Sequence, residues 1–127
     1  MDVEIHFTTG RIVVPALVLP SQEIGACAEF HGIVRELEHA VPIGGLRYEA
    51  YEPMARQQLS RHFQELGALH SCALVLFIHR LGWVPVAEAS LYIRVLAAHR
   101  GPAFRFLEGA VERLKADVPI WKCSEHH

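Results

Sequence analysis

Apolar and polar positions alternate first at the N-terminus, where Val3, Ile5 and Phe7 interleave with Glu4 and His6 and predict a short strand ended by Thr8-Thr9-Gly10. Val14 to Leu19 reads as a short helix with Pro15 in its first turn. Ala26 to Arg35 predicts a strand with Ala28, Phe30, Gly32 and Val34 on one face and Glu29, His31, Ile33 and Arg35 on the other. Glu36 to Gly45 is turn-like, and Leu46 to Tyr51 returns as a strand, a pattern that suits a hairpin. Pro53 opens a helix carrying Ala55, Leu59, Phe63 and Leu66 at helical spacing, with Gly67 as its stop. Ala73 to Arg80 is apolar on both faces and so predicts a covered, central strand. Leu81 to Pro85 turns the chain into a further strand, Ala89 to Ala98. A last helix spans about Pro102 to Lys115, with Ala103, Leu107, Ala110, Val111 and Leu114 as its buried stripe. Strands, helix, strands, helix with short connections predict an α+β fold, a mostly antiparallel sheet with helices packed on one face.

Composition narrows the function classes. The 127 residues are 51% hydrophobic and 20% charged, which predicts one globular domain with its own core rather than a disordered chain. A net charge of -2 with histidines neutral gives no overall basic field for nucleic acid or anionic membrane, so any positive site is local. Cys27, Cys72 and Cys123 are odd in number and lack a CxxC pattern, which favours reduced thiols and a cytoplasmic setting. Ile12 to Leu19 is too short to span a bilayer, and Asp2 and Glu4 stand where a signal peptide carries basic residues.

The candidate chemistry lies in cations. Lys115 closes the last helix, Pro119 breaks the chain, and Trp121 is expected to anchor it in apolar surroundings just before Lys122. A lysine in a last helical turn also complements the macrodipole, worth ~0.3–1 kcal/mol, so Lys115 has a purely structural reading. His99-Arg100 precedes Gly101-Pro102 at a helix start, where amide groups attract anions; a structural histidine and an Arg100–Glu108 pair are the plain alternative. Arg35 at a strand end is a surface arginine unless Gly32 marks a close approach. His79-Arg80 reads as structural, with Arg80 pairing with Glu88. Together Lys115, Lys122 and His99-Arg100 outline a cationic pocket for an anion. Cys123-Ser124-Glu125-His126 has metal-ligand types without a second zinc-like cluster, and Cys123 lacks an evident base as a nucleophile.

Several segments resemble, in order and at compatible spacing, the large catalytic subunit of molybdopterin synthase, the MoaE family. They are Phe30-His31-Gly32-Ile33-Val34-Arg35, Tyr48-Glu49-Ala50-Tyr51 with Pro53-Met54-Ala55, His79-Arg80-Leu81-Gly82 with Glu88, Ala98-His99-Arg100, and Leu114-Lys115 through Pro119-Ile120-Trp121-Lys122. The likeness is strongest over 25–122 within a single domain, 1–127. It implies an α/β-hammerhead-like fold and a homodimer of large subunits within a heterotetramer. A small ubiquitin-like (MoaD-like) sulfur-carrier subunit docks at each end, and its C-terminal Gly-Gly tail bears a thiocarboxylate. The implied reaction moves that sulfur to cyclic pyranopterin monophosphate and builds the dithiolene that later holds molybdenum. Family roles fall on Lys115 and Lys122 beside the thiocarboxylate, and on Arg35, His99 and Arg100 at the substrate's phosphate or pterin, some of them from the dimer partner.

Such a transfer needs cations and a proton donor, a role for Lys115 or Lys122, and neither cofactor nor metal on the enzyme. Ile33 stands where the family often has lysine, and Ala97 replaces a common serine. After Lys122 the family continues with a basic residue, a glutamate and a further tail, where this chain gives Cys123-Ser124-Glu125 and stops shortly after; altered docking or substrate coverage is the expectation there. The alternative function is a catalytically idle relative that binds a ubiquitin-like partner or a phosphorylated small molecule. A metal-dependent hydrolase rests on histidine content alone.

Overall fold

A computed structural model describes residues 1–125. In chain order it contains β1 (Asp2–Thr8), β2 (Ala26–Ile33), β3 (Leu37–Glu38), β4 (Val41–Pro42), β5 (Gly45–Ala50) and α1 (Glu52–Leu69). These are followed by β6 (Leu74–Arg80), β7 (Gly82–Pro85), β8 (Ala89–Ala97), α2 (Arg100–Asp117) and β9 (Ile120–Glu125). The main sheet has the order β1-β6-β8-β2, with β1 and β6 parallel and the other pairs antiparallel. A second, antiparallel sheet has the order β7-β5-β9, and β3 with β4 forms a two-residue ladder.

The alternation along each strand decides where the core sits. Ala28, Phe77, Ile93, Val95 and Ala97 point to the face covered by the helices and meet Leu59, Phe63, Ala103, Phe106 and Ala110. α2 lies over β2 and β8, while α1 packs on α2 and reaches β1. The sheet's other face buries Leu76, Ile78 and Tyr92 under Ile12. There the buried Arg94 donates to the Pro15 carbonyl at 2.6 Å and to the Tyr92 hydroxyl at 2.9 Å, and that hydroxyl donates to Glu29. Val34, Ile43, Leu46 and Val84 make a separate small core between the end of β2 and the second sheet.

The fold class is α+β and mostly antiparallel, as the sequence predicts, but several elements differ. Val14 to Leu19 is irregular rather than helical: Pro15 has its carbonyl drawn to Arg94 across the sheet. The segments read as one hairpin, around β2 and β5, lie in different sheets. α1 runs past Gly67 to Leu69, and the missing side chain at Gly67 makes room for Met1; a Cβ would lie 2.9 Å from the methionine methyl. Leu81 to Pro85 contains a strand rather than only a turn, and β9 follows Pro119. α2 is longer than expected at both ends. Gly45 begins β5 where a Cβ would meet the Val84 carbonyl and the Trp83 ring, so glycine lets β5 approach β7. No helix among the described residues is long and apolar enough to cross a membrane.

Candidate functional site

The ends of β8 organise the candidate residues. At its start, the Val34 amide donates to the Glu88 carbonyl at 3.0 Å and the Ala87 amide to the Val34 carbonyl at 2.8 Å, so Arg35 leaves β2 at this end. At the other end, the Gly25 amide donates to the Ala97 carbonyl, and His99 and Arg100 follow. α2 begins at Arg100 and turns back over β8 and β2. Its 18 residues cover about 27 Å at ~1.5 Å per residue, about the length of the nine-residue β8 at ~3.3 Å per residue. Its last turn, with Lys115, therefore returns toward the Arg35 end.

This geometry divides the expected cationic pocket. Fifteen helical steps separate Arg100 from Lys115, about 22 Å along the axis of α2. Within one chain, His99 and Arg100 do not meet Lys115. A straight helix holds the two groups at its opposite ends.

At the Lys115 end, cross-strand pairing aims Lys122. It sits opposite Tyr48 on β5, on the same face as Leu46, which packs into the small core. Its ammonium donates to both Glu38 oxygens, at 3.0 and 3.1 Å. The hydrogen bond from Lys122, and then the charges of Lys122, His39 and Arg35, hold the Glu38 carboxyl below the usual carboxylate range against the opposing effect of burial. Arg35 and Lys122 thus share one carboxylate's field. Trp121 does not anchor this strand in apolar surroundings: it is 47% exposed, because alternation along β9 turns it to the opposite face, beside Glu49. Cys123 is likewise on the face away from Lys122.

Beneath Tyr48 the support is stiff. Its ring meets the His79 ring edge-on at 5.1 Å between centroids, and His79 Nδ1–H donates to the Arg80 carbonyl at 2.8 Å. Burial lowers the His79 pKa to about 4, so the ring is neutral at pH 7. Arg80 pairs with Glu88 at 2.8 Å, as the sequence suggested. Lys115 is exposed, rather than having its stem covered, because it lies at the border of the α2 stripe. Its turn is held by Asp117, which accepts from His62 at 2.8 Å and from Arg61 at 3.1 Å. Arg113 donates to His62 Nδ1 and to Glu65.

At the opposite end, His99 and Arg100 are exposed and begin a helix with no acidic residue in its first turn. Free amides and the helix dipole favour an anion there. The expected Arg100–Glu108 pair is absent from the ion pairs of the described residues. A cleft of about 330 Å³ between α1 and α2, lined by His70, Arg105 and Glu108 among others, is remote from Lys122; its Arg113 is engaged by Glu65 and His62. No group of three His, Cys, Asp or Glu able to hold a metal occurs among the described residues, and His126 lies outside them. Sequence reasoning missed Glu38, inside a stretch read only as a turn. Its one visible signal is the Leu37-Glu38 and Val41-Pro42 pairs flanking two residues, the spacing of a tight hairpin.

Known proteins share both the sequence and this architecture. The profile of the MoaE protein family matches residues 7–117. A molybdopterin synthase catalytic subunit of rice (Oryza sativa subsp. indica) is 41% identical over 98 residues, covering 77% of this chain and 51% of the relative. The chain therefore spans about half the length of that relative. Among solved structures, molybdopterin synthase from Staphylococcus aureus superposes with a TM-score of 0.79 at 34% identity, covering 84% of this chain and 78% of that one. A protein–protein complex of subunits 1 and 2 of molybdopterin-converting factor from Helicobacter pylori matches with a TM-score of 0.71 at 26% identity, over 84% and 69% of the two chains. With its profile matched across most of its length and its fold shared, the chain belongs to the MoaE protein family.

Proposed function

We propose that this chain is a large subunit of molybdopterin synthase, moving sulfur from the C-terminal thiocarboxylate of a small ubiquitin-like subunit to cyclic pyranopterin monophosphate. The observation that carries the reading is that Arg35 and Lys122 both act on Glu38, at the end of a MoaE fold toward which α2 carries Lys115. The donor tail and the phosphate-bearing acceptor are both anions, and nothing in their encounter favours closeness without cations between them. Lys122 and Lys115 hold the thiocarboxylate and supply the proton that the departing oxygen needs, while Arg35 suits bidentate contact with phosphate.

His99 and Arg100 enter the same site from a second copy. The length of the helix that separates them from Lys115 in one chain supports this reading, in which each chain carries half of two sites and a two-fold dimer joins the halves. The assembly is then a homodimer with a small subunit at each end. Support for that partner comes from the Helicobacter pylori relative, whose structure is a complex of two different subunits. Exposed free thiols at Cys27 and Cys123 suit a reducing, cytoplasmic setting.

The test mixes the purified chain with a thiocarboxylated small subunit and pyranopterin phosphate. Dithiolene product is the expected outcome. Binding of both with no product would favour the idle binding module instead.

A further inference from the structure

Glu38 occupies Lys122 in a way the reaction does not require. Both carboxylate oxygens sit on the ammonium, and the glutamate side chain is only 13% exposed while the lysine is 46% exposed. The hairpin that delivers Glu38 is slight. β3 and β4 have two residues each, and the turn between them places His39 and Ala40 at φ of 51° and 65°. Both positions are left-handed, where glycine or asparagine is the comfortable residue, and alanine is strained. Leu37 and Val41 on this hairpin are exposed, so little packing holds it down.

We propose that Glu38 masks Lys122 in the resting chain and that the donor's anionic tail gains the ammonium only by displacing this carboxylate. The idea rests on reading Lys122 as the receiver of that tail. A carboxylate and a thiocarboxylate match in shape and charge, so the exchange replaces one ion pair by a like one. The strained hairpin lowers the cost of letting go. A neutral tail offers the ammonium no charge in return and leaves Glu38 in place. Glu38 is thus a charge filter on the entry of the guest, acting through Lys122.

Lys115 and Lys122 are the chain's only lysines, which makes masking directly measurable. With limiting acetic anhydride and mass spectrometry, Glu38→Gln should raise Lys122 acetylation about two- to five-fold, the range of an ion pair whose ammonium is still reached by water, with Lys115 unchanged. Equal Lys122 reactivity in the two proteins overturns the masking. The small subunit with its ordinary C-terminal carboxylate should bind Glu38→Gln about two- to five-fold tighter than the original chain, and the gain should vanish in a Lys122→Gln background. A gain that persists without Lys122, or no gain, overturns displacement. Failure of the small subunit to bind any of these proteins overturns the tail reading itself, and the acetylation result then decides the masking alone.

Discussion

Acid should weaken this fold through one buried ring. His79 is 4% exposed, held between the tilted Phe77 ring and the edge-on Tyr48 ring, and its pKa falls from 6.5 in the open chain to about 4 because burial disfavours the imidazolium. Between those values the unfolded chain binds a proton that the native chain refuses. Stability is full above pH 6.5 and is lost as pH falls toward 4. At pH 4.5 the loss relative to pH 7 is on the order of 2 to 3 kcal/mol, since the unfolded ring is protonated there and the native ring largely is not. His79→Asn keeps an amide donor near the Arg80 carbonyl and removes the titration. Urea unfolding of both proteins at pH 7 and pH 4.5 should show the original chain losing about 2 to 3 kcal/mol more than the variant. Equal losses would mean that the ring is protonated or wetted in the native fold, and the rigid floor beneath Tyr48 and Lys122 would go with it.

Other expectations follow from packing and from the site. Phe106 is fully buried against Phe63, with ring centroids 6.0 Å apart, so Phe106→Ala should cost about 3–5 kcal/mol in denaturant unfolding; a loss below about 1 kcal/mol would remove it from the core. Lys115→Ala and Lys122→Ala should each abolish dithiolene formation while leaving circular dichroism unchanged, since both side chains are exposed; turnover at the original rate in both variants would refute the assigned roles. Arg100→Ala should raise KM for the pyranopterin, and an unchanged KM would take Arg100 out of the phosphate site.

Much of this fold was legible because its signals are local. β6 and β8 announce themselves as apolar runs, the buried faces of α1 and α2 recur at helical spacing, and Arg80 and Glu88 sit close enough in sequence to suggest their pairing. The misses are long-range. Nothing near Val14 shows that Arg94, some eighty residues on, takes the Pro15 carbonyl and holds that segment irregular. β7 and β9 are short strands that exist because β5 lies between them. Trp121 reads as a buried anchor until its strand partner fixes which face it takes. In the candidate site the cations stand out in the sequence but the distance between them within one chain does not: Lys115 and Arg100 belong to one helix, and its length keeps them apart.

Whether the site is assembled from two copies is decided by mixing two impaired variants and assaying at pyranopterin far below the raised KM of Arg100→Ala, where each alone is nearly silent. Lys122→Ala and Arg100→Ala, unfolded together and refolded to exchange subunits, should form mixed dimers in which one of the two sites has both residues intact. Activity should return to about one quarter of the original chain's, since about half the dimers are mixed and each restores one site of two. Activity no greater than the average of the separate variants, with mixed dimers shown to be present, would mean that Lys122 and Arg100 do not complete one site across the dimer.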